Sequence, residues 1–398
     1  MPLLISESKS VKSNEIFFMR ALGQINWNFQ DEATNSATHD FHPYPAKFIP
    51  QIPYHLIKIF TNEGETVYDP FCGCGTTIVE SILENRRAIG NDMNPSAVLI
   101  SKVKATVLSY KQMDEIKKTV IDIEKNIANL YKSNIVIKKR IPSNNFGIPN
   151  LTSWFDAHVI VELSMIKNVI ESVKDRDMKD FLKVALSSII VSVSYQDSNT
   201  RYVRVNKNIP QKETIRKFKL KIYRMMEKIE DLPVNAINPK VVIADTRLPS
   251  GLASDSADLA VTSPPYPNAY DYHLYHKYRM YWLDMDPLDL KRNEIGSHAN
   301  YSKKNGHTYQ NFEDDMRKSF IQIAKILKPN KYFCIVIGDS IIKGEKIHNN
   351  ELLKRISAMT PFEFIYEAKR DIQLSKKSFN PRIGNIKTEH IMVFKNCK

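Results

Sequence analysis

The chain has 398 residues, 42% hydrophobic and 25% charged, enough for one large globular domain or two ordinary ones. The opening "MPLLISESKSVKSNE" lacks the basic start and apolar run of a secretory leader, and no stretch of about 20 residues is apolar enough to span a bilayer. A cytoplasmic protein with no membrane contact is expected, with a net charge of +13 that invites a polyanionic partner. Residues 1–38 are mixed and polar around "IFFMRALGQINW", a cap or arm. From Glu65 to Ala105 the spacing predicts strand, glycine-bearing turn "DPFCGCGTT", helix, strand "RRAIGND" and helix "NPSAVLISKVKA". A β-α-β-α unit of this kind builds a parallel sheet with right-handed crossovers. Residues 106–235 break the rhythm with four stretches of helical period. Thr106 to Lys240 carries 24 Lys and Arg against 15 Asp and Glu, and Arg201 to Lys228 alone has ten basic and two acidic residues. After it the β/α pattern resumes with "KVVIADTRL", "ADLAVTSPPY", "FEDDMRKSFIQIAKIL", "KPNKYFCIVIGDSII", "ELLKRISAMT", "FEFIYEAKRDI" and "TEHIMVFKN".

The glycine turn lacks the third glycine of a dinucleotide fingerprint and the lysine of a P-loop. It follows a strand, opens a helix, and precedes an acid, Asp92, that lies 23 residues beyond Asp69 at the end of the next strand. That spacing suits a carboxylate that reaches ribose hydroxyls. Gly73 and Gly75 allow close backbone approach, and the helix start favours a carboxylate. Asp245 ends a third strand and is a candidate for an adenine amino group. An acid beside the glycine turn can hold the amino end of methionine, so the set suits S-adenosylmethionine. The alternative is that these acids are turn and N-cap residues. The four cysteines Cys72, Cys74, Cys334 and Cys397 have no zinc-ligand spacing; reduced thiols and no metal are expected.

Ser263-Pro264-Pro265-Tyr266 ends the next strand on the same edge. Proline removes donors and leaves carbonyls, so the Ser263 hydroxyl and Pro264 carbonyl are two fixed acceptors for an exocyclic NH2, while Tyr266 offers a face for a planar base. The aromatic run "YPNAYDYHLYHKYRMYW" that follows lines a base pocket or fills an aromatic core; a loop turning into helix near the substrate is expected, with His273 and His276 in packing or phosphate contact.

"DPFCGCGTT" together with "TSPPY" resembles the amino-group DNA methyltransferases, which methylate N4 of cytosine or N6 of adenine with S-adenosylmethionine. "FHPYPAKFIPQIP", "GNDMNP" and "TEHIMVF" are similar to further motifs of that family, and the resemblance covers roughly residues 39–105 and 240–398. It implies an α/β fold, a doubly wound Rossmann-like methyltransferase sheet with a mainly helical insertion. It divides the chain into 1–105, an arm and the cofactor-binding half; 106–235, a basic helical insertion; and 236–398, the catalytic half. By the resemblance Asp69, Phe71, Gly73, Gly75, Thr76, Asp92 and Asp245 bind cofactor with Pro45 and Lys47 nearby, and Ser263, Pro264, Pro265 and Tyr266 are catalytic. The segment between the halves often reads the target sequence, which puts contact with double-stranded DNA at Arg201, Arg204, Lys207, Arg216, Lys217 and Lys219. Serine at the head of the tetrapeptide is typical of N4-cytosine members, where adenine enzymes usually carry Asp or Asn. An N6-adenine enzyme, an RNA base methyltransferase and a non-catalytic nucleic-acid-binding protein are the alternatives. A restriction–modification system, with its endonuclease as a separate protein, is the setting the resemblance implies. Oligomeric state and recognition sequence are not written in these motifs.

Overall fold

A computed structural model describes residues 15–132, 147–372 and 388–398. Residues 15–23 are helical, and α1 (Gln51–Phe60) precedes the first strand, β1 (Thr66–Asp69). The predicted unit follows as α2 (Thr76–Leu83), β2 (Arg87–Asp92) and α3 (Pro95–Lys104). Asn94 caps α3, its side chain accepting from the Ser96 amide at 3.0 Å with Pro95 in the first turn. The insertion contributes α4 (Tyr110–Lys132), α5 (Ala157–Ser172), α6 (Arg176–Ile189), a hairpin of β3 (Gln196–Ser198) and β4 (Arg201–Arg204), and α7 (Glu213–Ile229). The hairpin departs from the helical reading: after a 3-10 turn at Ile190–Val193 the chain leaves the helix and pairs Ser198 with Arg201.

The sheet resumes with β5 (Lys240–Ile243) and β6 (Ala257–Thr262). Short helices α8 (Lys277–Trp282) and α9 (Pro287–Asn293) lead to α10 (Tyr309–Ile326) and β7 (Leu327–Gly338). A small hairpin, β8 (Ser340–Ile342) and β9 (Glu345–Ile347), precedes α11 (Asn349–Ser357), β10 (Phe362–Asp371) and β11 (Thr388–Asn396). "KPNK", read as a turn, is part of β7, which starts at Leu327 opposite Ala257 and takes up an irregularity before Tyr332 pairs with Leu259.

The seven strands lie in the order β10-β11-β7-β6-β1-β2-β5. The five from β7 to β5 run parallel, and β11 runs antiparallel to β7 and β10. This is the doubly wound, Rossmann-like sheet the sequence implies, assembled from both sides of the insertion. Strand alternation sorts the two faces. Val67, Leu259, Val261, Cys334 and Val393 pack with Leu22, Ile52 and Leu56 of the N-terminal segment. Tyr68, Ala260, Phe333, Ile335 and Phe394 pack with Phe320 of α10 and Leu353 of α11. A third cluster joins Ile78 of α2 and Ile100 of α3 to Ile116, Leu163, Phe181 and Phe218 of the insertion. Among the described residues no helix is long and apolar enough to cross a membrane, and all four cysteines are free.

Candidate active site

β1 ends at Asp69, and the chain turns at once over the sheet's carboxyl edge. The Gly75 amide donates to the Cys72 carbonyl at 2.7 Å, which closes the turn, and Gly73 and Gly75 take φ of 48° and 82°. A Cβ on Gly75 would lie 2.8 Å from the Ser101 Cα, so α2 can start here only because α3 passes against bare backbone. Buried Lys104 donates to the Cys74 carbonyl at 2.9 Å, and burial lowers its pKa. Asp92, at the end of β2, accepts from the Gly73 amide at 2.9 Å and from the Asn94 amide at 2.8 Å. It therefore ties the turn to the start of α3. Desolvation pushes its carboxyl up to about 6.

These elements enclose a pocket of about 640 Å³, the open solvent at its mouth included. Lys47, Phe71, Gly73, Thr76 and Asp92 line it, and so do Ser263 and Pro265 from the end of β6. Asp69 sits two residues before this lining and is 1% exposed. Its Oδ1 accepts from the Thr262 hydroxyl at 2.6 Å and the Phe71 amide at 3.1 Å, while Oδ2 is buried with no hydrogen-bond partner. Burial pushes the carboxyl up to about 7, the Thr262 hydroxyl holding it down in part. Pro45 and Gly75 frame the pocket from adjoining backbone rather than line it.

Asp245 does not line this pocket either. Its carboxylate is bound by Arg247, with nitrogen–oxygen distances of 2.6 to 3.1 Å. Arg247 also reaches Asp315 at 2.9 Å and the Asn293 carbonyl at 2.8 Å. A carboxylate held bidentately has little left for an amino group. Asp245 instead braces the segment whose next residues, Glu294 and Ile295, line the pocket wall.

The tetrapeptide divides between two environments. Ser263 and Pro265 face the pocket; buried Pro264 and half-buried Tyr266 do not line it. The Tyr266 hydroxyl donates to Glu389 Oε1 at 3.0 Å across to β11.

Sequence reasoning missed Tyr44, Met93, Asn94, Tyr272 and Glu294 as lining residues. The first four lie inside stretches already singled out, Tyr272 in the aromatic run. Glu294 carries no local signal: its oxygens accept from the Tyr272 amide and from His273 at 2.7 Å, contacts made only by the fold. Asp271, His273 and Glu294 bring their oxygen and nitrogen atoms within 4.8 Å of one another. Asp271 Oδ1 is taken by the Ser297 hydroxyl at 2.6 Å and the Ala299 amide at 3.0 Å, so the cluster is satisfied by protein donors. The aromatic run after Tyr266 serves both expected ends. Tyr272 lines the pocket and stacks on Tyr44 at 5.9 Å, whereas Tyr278 and Trp282 are buried against Phe155. His276 packs at 4.7 Å on Tyr44.

The six basic residues picked from the insertion are placed unevenly. Arg204 donates to the Ser153 carbonyl at 2.8 Å and lies 4.7 Å over the Tyr195 ring, and Arg201 faces Asp197 at 3.5 Å. Lys207 is spent on the carbonyls of Val191 and Gln196. Lys219 points to α4 and pairs with Glu124 at 2.7 Å. Arg216 and Lys217 border a groove with Lys221, Arg224, Ser188 and Ser192, and Pro43 at its end adjoins Tyr44 of the cofactor-side pocket. Lys221 and Arg224 were not picked out from the sequence.

Residues 7–103 match a family model described as DNA methylase, of the N6/N4 type. The chain is 24% identical to the type II methyltransferase M.MvaI of Kocuria varians over 98% of its own length and 96% of that protein's. It is 38% identical to the type II methyltransferase M.MjaII of Methanocaldococcus jannaschii over 21% of its own length and 16% of that protein's. These similarities are to the amino-group DNA methyltransferases. A solved S-adenosylmethionine-dependent methyltransferase from Methanosarcina mazei aligns over 89% of this chain and 98% of that one, with 10% identity and a TM-score of 0.35. The family and curated matches imply S-adenosylmethionine as the cofactor. The chemistry fits that group: a half-buried acid at Asp92 in the pocket lining, bare backbone at Gly73, where an added Cβ would meet nothing closer than 3.7 Å, and behind the lining a buried Asp69 oxygen without a hydrogen-bond partner.

Proposed function

We propose that this methyltransferase modifies the exocyclic N4 amino group of cytosine in duplex DNA. The observation that carries the reading is Ser263 at the head of the tetrapeptide, lining the same pocket as Asp92 and the glycine turn. Asp92 would hold the ribose hydroxyls of the cofactor, and Asp69, behind the lining, would offer its unpartnered oxygen to the ammonium. Phe71, Gly73 and Thr76 form the wall beneath its methionine end, with Lys47 and Pro45 over it. Bound there, S-adenosylmethionine supplies an electrophilic methyl group.

The Ser263 hydroxyl and Pro264 carbonyl accept the two amino hydrogens of the target base, and Pro265 keeps their separation fixed. Acceptors that pull on both N–H bonds turn the nitrogen lone pair out of the ring plane, toward a methyl group held in line. The proton leaves after transfer, so no strong base is required. Tyr266 stacks on the base, which must leave the helix to reach it. Residues 106–235 are the target-recognition region in this reading, with DNA backbone along the groove of Arg216 and Lys217. The relatives' type II names support a restriction–modification setting in the cytoplasm, with the endonuclease a separate chain.

The test is product identity. The protein is incubated with S-adenosylmethionine and mixed-sequence duplex DNA, and the digested nucleosides are identified by mass spectrometry. N4-methylcytosine is expected. N6-methyladenine would keep the clamp and overturn the choice of base, and methyl transfer to RNA alone would overturn the substrate.

A further inference from the structure

Tyr266 is anchored at its far end. Its hydroxyl donates to Glu389 Oε1 at 3.0 Å, 123 residues away in the chain. Glu389 lies near the start of β11, opposite Arg370 on β10 and Gly338 on β7, so its backbone is held from both sides. Its Oε2 faces Arg370 Nε at 3.6 Å, and the two side chains are 15% and 8% exposed. A carboxylate of this kind has little freedom to move.

A carboxylate only accepts, so the phenol donates to Glu389. A hydrogen bond to an ionised acceptor is roughly twice as strong as one to a neutral group. The far end of the Tyr266 ring is therefore tied to the sheet at β11, while its near end belongs to the tetrapeptide that follows β6.

We propose that Glu389 is a positioning residue for methyl transfer, holding the Tyr266 ring in place against the target base by anchoring its hydroxyl. This rests on the tetrapeptide's role given above. It also gives "TEHIMVF", read only as a late sheet motif, a link to the reacting end of the molecule.

The test uses the full chain with duplex DNA and S-adenosylmethionine. Turnover, KM for DNA and calorimetric cofactor affinity are measured for wild type, Glu389→Gln, Tyr266→Phe, their double variant and Tyr266→Ala. Glutamine keeps the shape but replaces the charged acceptor with a neutral amide, so the anchor is weakened. Glu389→Gln is expected to lower kcat about tenfold with cofactor affinity held within about twofold, and to add nothing once the phenol oxygen is gone in Tyr266→Phe. Wild-type kcat in Glu389→Gln overturns the inference, as does a full loss that persists in the Tyr266→Phe background. If Tyr266→Ala turns over normally, the tetrapeptide's role and this inference fall together. If Tyr266→Ala is inactive and Glu389→Gln is normal, only the inference falls. Should Glu389→Gln not fold, Tyr266→Phe decides alone, since wild-type turnover with the ring intact would leave Glu389 nothing to anchor.

Discussion

Gly75 shows how little room the turn leaves. Any side chain there must hold φ at 82° and displace Ser101, whose Cα would sit 2.8 Å from the new Cβ. Gly75→Ala is expected to destabilise the protein by roughly 2–4 kcal/mol, because an unfavourable φ and a backbone clash add. Thermal or urea unfolding checks it, and an unchanged midpoint would mean that α3 moves aside freely. Asp69 makes a pH-dependent prediction. Its folded carboxyl is raised to about 7, against about 4 unfolded, so between these values the folded chain holds a proton that the unfolded chain has lost. The free protein gains this contribution below pH ~4 and loses it as pH rises through about 7. A bound ammonium reverses the preference, since only the ionised form attracts it. Affinity for S-adenosylmethionine is therefore expected to fall as pH drops from 8 to 6, by up to about tenfold per unit below 7. Calorimetry on Asp69→Asn should show weaker binding with that slope removed; the same slope in the variant would assign it elsewhere.

At the scale of elements, the DNA contact proposed above falls on α7. Its groove side carries Lys217, Lys221 and Arg224, one face at helical spacing, while Lys219 faces α4 and Glu124. Lys221 donates to the Asp40 carbonyl at 2.8 Å, and burial lowers its pKa to about 8. Lys217→Gln with Arg224→Gln is expected to weaken DNA binding and flatten its salt dependence by about two charges' worth. Lys219→Gln should leave the salt slope unchanged. The reverse result would put the phosphate track on the α4 side. This division was not legible in the sequence, which shows ten basic residues in a row of elements without saying which face of α7 is covered. The β3–β4 hairpin was hidden for a related reason. The helical period of "DFLKVALSSIIVSVSY" runs on to Tyr195, and the reward for leaving it is tertiary: Trp154 packs on Tyr202 at 4.9 Å and Arg204 donates to the Ser153 carbonyl. Elements of the sheet were legible because each strand ends at an acid or a turn that its own residues dictate.

For the whole molecule, the sheet order and the meeting of the glycine turn with the tetrapeptide could be anticipated, since β/α rhythm on both sides of the insertion demands one sheet. What could not be read is who partners whom across it. Asp245 looks like Asp92 in the sequence, yet one is spent on Arg247 and the other faces the pocket. Glu294 and Glu389 reach the site only through contacts 22 and 123 residues away in the chain. The insertion is packed into the same hydrophobic cluster as α2 and α3, so its helices support the cofactor side as well as carry charge.

The central place of β6 has a consequence for biosynthesis. It pairs with β1 on one side and β7 on the other, and its Thr262 closes on Asp69 across 193 residues of chain. At ribosomal speeds of about 5–20 residues per second, that interval is roughly 10–40 s. Throughout it the nascent β1 has an open edge and Asp69 lacks its hydroxyl partner. The growing polypeptide thus passes through a window in which the future centre of the sheet is a sticky margin, and a chaperone that shields it would act on the amino-terminal third before the reactive tetrapeptide exists.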